Sequence, residues 1–142
     1  MSTYVREKVL RIPREKMNFA HIVRKLEEKF PGDDVVMDDL GFYLEDGLPD
    51  LFDYGRINKF QMSPTCEPYI DYVLDYEWDC DGEYGKVREL YPSEKEKFRS
   101  TFEQLDPDIN MDYVRLVEFC WYNGSEAPDY YDITKDPFYK EL

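Results

Sequence analysis

The chain has 142 residues, with 32 Asp and Glu against 18 Lys and Arg, for a formal net charge of −14. That length suits one domain with a real core, and 17% aromatic residues argue against low-hydrophobicity disorder. The charge opposes direct binding to nucleic acid or anionic membranes and steers basic surfaces toward the protein.

In chain order, residues 4–12 mix β-branched and aromatic side chains with charges and stop at Pro13, which predicts a first strand. Asn18 then precedes Phe19, Ile22, Val23, Leu26 and Phe30 at helical spacing, an amphipathic helix that ends before Pro31-Gly32. Residues 33–53 hold two short apolar runs, Val35-Val36-Met37 and Phe42-Tyr43-Leu44, separated by Asp38-Asp39 and Gly41. They predict two short strands or one bulged strand. Residues 47–53 read as a loop and residues 57–62 as a further strand.

The clearest periodicity follows. Ile70, Tyr72, Leu74, Tyr76, Trp78 and Cys80 are apolar or aromatic, while Asp71, Asp75, Glu77, Asp79 and Asp81 alternate with them, Val73 being the exception. A period of two predicts a strand with one buried and one acidic face. Asp81-Gly82 and residues 86–91 predict its return as a hairpin. Ser93 and Glu96 read as a capping box for a helix bearing Phe98, Phe102 and Leu105. A last helix is expected from Asn110 or Asp112, with Tyr113, Val114, Val117, Cys120 and Trp121 on one face and its end at Asn123-Gly124. The tail, residues 125–142, is expected to be pinned to the body by its aromatics or to fray. The expected fold class is α+β: a single domain over residues 1–142, mainly antiparallel sheet with about three helices.

No motif for catalysis or metal binding survives inspection. With Asp81-Gly82 placed at positions 5 and 6 of a calcium loop, position 12 falls on Arg88, where a bidentate Glu is required. His21 is the only histidine and reads as a solvated helix residue, and there is no GxSxG, Walker A or GxGxxG sequence. Cys66, Cys80 and Cys120 lack metal-ligand spacing and are odd in number, as suits a reduced, cytoplasmic protein. Neither a signal peptide nor a membrane span is legible, and no cofactor is expected.

What remains is the layout of charge. Residues 1–30 carry 4 acids and 8 bases, residues 31–85 carry 15 acids and only Arg56 and Lys59, and residues 86–142 carry 13 acids and 8 bases. Alternate residues on one strand face stand about 6.6–6.8 Å apart, a spacing comparable to a row of phosphates. The row Asp71, Asp75, Glu77, Asp79, Asp81 and Glu83 is therefore expected to face outward. Asp33, Asp34, Asp38, Asp39, Glu45, Asp46, Asp50 and Asp53 extend it, and Tyr43, Tyr54 and Tyr84 are candidate aromatic anchors. An acidic surface kept only for solubility, or to guard an edge strand, would have the same composition.

In size, charge and lack of catalytic groups the chain resembles the small acidic inhibitors of phages and mobile elements, the anti-CRISPR and anti-restriction proteins that mimic DNA. The resemblance implies a non-catalytic protein, acting in the cytoplasm of a bacterial host, that blocks the basic nucleic-acid groove of a nuclease or CRISPR-type effector. Two alternatives stay open: an immunity protein or antitoxin that neutralises a basic toxin, and a divalent-metal enzyme using clustered carboxylates.

Overall fold

The computed structural model describes residues 3–18, 20–29, 31–32, 57–62, 69–78 and 85–123. The expectations for residues 33–53, for the Asp81-Gly82 turn and for the tail lie outside these. The described residues form five strands, β1 (Thr3–Pro13), β2 (Phe60–Met62), β3 (Tyr69–Trp78), β4 (Gly85–Glu89) and β5 (Arg115–Asn123), and two helices, α1 (Ala20–Lys29) and α2 (Pro92–Glu103). All strand pairs are antiparallel, in the order β2-β3-β1-β5-β4. The class is α+β; the described residues hold two helices where about three are expected, and among them no helix is long and apolar enough to cross a membrane.

β1 is central and buried on both faces, which is why Val5, Val9, Leu10 and Ile12 are all fully buried. On one face Leu10, Ile12, Ile70, Phe60 and Leu116 meet Ile22 of α1 and Phe102 of α2. Phe102 packs edge-on against Phe60, with ring centroids 5.3 Å apart at 87°. The opposite face carries a second apolar cluster of Val5, Val9, Tyr69, Val73, Val117 and Phe119.

Local chemistry sets the helix ends. Asn18 caps α1 as expected, its Oδ1 accepting the Ala20 N–H at 3.0 Å, and the chain leaves the helix through Gly32 at φ +92°, a left-handed conformation that suits glycine. α2 begins two residues earlier than a Ser93 cap requires, with Tyr91 as its N-cap. Pro92 occupies its first turn, and Glu94, not Glu96, reaches back to accept the Tyr91 N–H at 2.8 Å. Asp106 then ties the two helices' flanks together, accepting from the Asn18 N–H at 2.9 Å and the Asp108 N–H at 3.0 Å.

Two expectations are overturned. The last helix is a strand: Asn110 does accept from the Asp112 N–H, but it caps only the 3-10 turn Met111–Tyr113, after which β5 runs to Asn123. β5 lies between β1 and β4, so Leu116, Val117, Phe119 and Cys120 are buried on both faces, and Val114, Val117 and Cys120 satisfy helical spacing by accident. The hairpin between β3 and β4 is also absent. β4 pairs with β5, β3 pairs with β1 and β2, and two strands separate them. The physical reason is legible in the register, where Arg6 faces Glu77, Lys8 faces Asp75 and Arg11 faces Asp71. β1 offers each acid of β3 an opposite charge, which favourable cross-strand pairing requires.

Candidate functional site

The strand expected to carry the acidic row is where the structure departs furthest from a simple alternation. The register of β1 against β3 shifts between Lys8 and Val9, so that Leu74 is an extra residue opposite no partner. Before the shift Tyr72 packs with the helix-covered core; after it Tyr76 packs with the other cluster. Asp71 therefore points to one face, and Asp75 and Glu77 to the opposite one. The three do not form one row.

Asp71 is not a surface group. It is fully buried, and Arg11 donates to it from Nε and Nη2 at 2.7 and 2.8 Å. The Arg11 guanidinium is also held over the rings of Phe119 and Tyr69, 4.6 and 5.0 Å from their centroids. Burial alone would depress the Arg11 pKa; the Asp71 carboxylate more than offsets this and leaves it raised. Beside the pair, the buried Gln61 side-chain amide donates to Glu7 Oε1 at 2.7 Å. Tyr76 stands opposite Glu7 on β3, and burial first, then the Glu7 carboxylate, push its phenol up to about 12. This buried array holds β1, β2 and β3 together and offers no group to a partner in solvent.

Asp75 and Glu77 are exposed, as expected, but each faces a base of β1 in register, and Arg6 Nη1 lies 3.6 Å from Glu77 Oε2. Asp79, Asp81, Glu83, Asp33, Asp34, Asp38, Asp39, Glu45, Asp46, Tyr43, Tyr54 and Tyr84 lie outside the described residues. Cys120 is buried, on a strand rather than on a helix.

Sequence reasoning missed Trp78 as a surface group. It was assigned to the inner face, yet it is 50% exposed, with its ring 5.6 Å from that of Tyr76. The alternation gave no signal, because Trp78 shares its parity with the buried Ile70. Among the described residues, no three His, Cys, Asp or Glu side chains gather as a metal ion would require.

The described residues carry 15 Lys and Arg and 15 Asp and Glu; the remaining residues carry 3 Lys and Arg and 17 Asp and Glu. By sequence the excess of acid lies in residues 31–85, which hold 15 Asp and Glu against Arg56 and Lys59 alone. Comparison with protein-family models, curated proteins and solved structures returns no significant match.

Proposed function

We propose that this chain is an acidic binding protein that engages the basic nucleic-acid groove of a nuclease or CRISPR-type effector and blocks it without chemistry of its own. One observation carries the reading: the concentration of acid in residues 31–85, 15 Asp and Glu against Arg56 and Lys59 alone. In the described sheet Arg6, Lys8 and Arg11 stand opposite Glu77, Asp75 and Asp71. Residues 33–56, between α1 and β2, hold eight acids and Arg56 alone among bases, and residues 79–84 hold three acids and no base. An excess of one sign of charge repels itself in the isolated protein and is favourable against a cationic groove, where it speeds association and raises specificity. The contact row is accordingly reassigned away from Asp71 and toward these segments.

The test is capture followed by competition. The immobilised protein is incubated with cleared bacterial lysate at low salt, and bound proteins are released either with salt or with duplex DNA. The reading expects nucleic-acid-binding proteins that duplex DNA displaces; retention of proteins that DNA leaves in place overturns it.

A further inference from the structure

The side of β3 facing away from β1 changes character along its length. As far as Val73 it is occupied: β2 pairs with Ile70, Asp71 and Tyr72, the Val73 N–H donates to Lys59 O at 3.0 Å, and the Val73 carbonyl accepts from the Asn58 N–H at 2.7 Å. Over residues 74–78 no strand among the described residues pairs with that side. Tyr76 reveals the direction of the edge, because its N–H is satisfied by the neighbouring Asp75 Oδ1 at 2.9 Å instead of by a strand carbonyl. Strand alternation aims the Trp78 N–H the same way. Tyr76 and the half-exposed Trp78 flank the edge on one face, and the exposed Asp75 and Glu77 flank it on the other.

We infer that the edge of β3 formed by residues 74–78 receives an extended, Lys- or Arg-bearing strand from a basic partner protein. An open edge is a template for a further strand, and tryptophan is a favoured anchor at interfaces. The basic character of the partner follows from charge, since the only charged side chains of residues 74–78 are the exposed carboxylates of Asp75 and Glu77. An incoming carbonyl replaces the Asp75 carboxylate at the Tyr76 N–H, and the released carboxylate meets a partner cation. Alternate side chains of the incoming strand lie on the Trp78 face. The inference rests on the acidic-binding reading and adds the place and the backbone geometry of docking.

Two synthetic heptapeptides of alternating Lys and Val test it, one unmodified and one N-methylated on every backbone amide. Their charge is the same, but only the first can complete an antiparallel ladder. The unmodified peptide is expected to bind more tightly by roughly fivefold for each hydrogen bond that methylation removes. It alone is expected to slow hydrogen exchange at the Tyr76 and Trp78 amides, and Trp78→Ala is expected to weaken its binding with the circular dichroism spectrum unchanged. Equal binding of the two peptides overturns the edge inference while leaving the attraction of basic surfaces standing. Binding of neither also overturns it, and the capture experiment then judges the broader reading separately.

Discussion

Arg11 and Asp71 form a bidentate pair at 2.7 and 2.8 Å in which neither side chain has any exposed surface. The guanidinium fork matches the carboxylate, and the aromatic rings of Tyr69 and Phe119 exclude water from it. A pair in this setting is weak evidence for net stability, but removing one member strands the other charge in the core. Asp71→Asn and Arg11→Met are each expected to lower unfolding stability by about 3–5 kcal/mol in urea titrations. The double variant Arg11→Met/Asp71→Leu is expected to recover much of that loss. Additive losses in the double variant would show that the two side chains act independently.

Asp75 and Glu77 share the strand but not this environment. Both are exposed, and the 3.6 Å contact between Glu77 and Arg6 is half open to solvent. Asp75→Asn and Glu77→Gln are expected to change stability by less than about 0.5 kcal/mol in either direction. A loss as large as that expected for Asp71→Asn would mean that these carboxylates support the sheet.

The contrast explains how much of the fold could be read from sequence. The strand at residues 70–78, the first strand and the first helix were legible because each shows its period over many residues. Asp71 was misplaced because one extra residue, Leu74, reverses the faces of a strand, and a bulge leaves no mark in a pattern of apolar and acidic residues. β5 was misread because burial on both faces erases the period of two, and Val114, Val117 and Cys120 then mimic a helical stripe. The pairing of β3 with β1 instead of β4 was written in the spacing of Arg6, Lys8 and Arg11, but only comparison across 60 residues reveals it. For the binding surface, the charge imbalance was legible; the withdrawal of Asp71 into a buried pair with Arg11 was not, because that depends on which acids find bases in three dimensions.

Glu94 provides a pH-dependent test of the α2 start. The hydrogen bonds from Arg88, at 2.7 and 2.9 Å, and then the Tyr91 N–H, hold its carboxyl at about 2, below the ordinary 4.5. A carboxyl whose pKa is depressed by folding contributes stability above 4.5 and loses it as pH falls toward 2. The pair is partly open to solvent, so the contribution is expected to be about 1 kcal/mol. Glu94→Gln is expected to lower the urea midpoint at neutral pH and to flatten its fall across that acid window. A variant whose midpoint falls with acid as steeply as the parent's would place the acid sensitivity elsewhere.

The excess of acid in residues 33–56, eight Asp and Glu against Arg56 alone, makes its own prediction for association. Replacing Asp38, Asp39, Glu45 and Asp46 by their amides removes four charges from residues that carry no compensating base in their immediate sequence. The rate of association with a captured basic partner is expected to fall on the order of 10-fold at low ionic strength, and its salt dependence to flatten, because steering acts through unscreened charge. Asp108→Asn and Glu103→Gln remove exposed acids in and just after α2, so they serve as controls of the same chemistry and are expected to leave the rate nearly unchanged. If these controls slow association in proportion to charge removed, total charge alone sets the rate, and the segments have no special role in recognition.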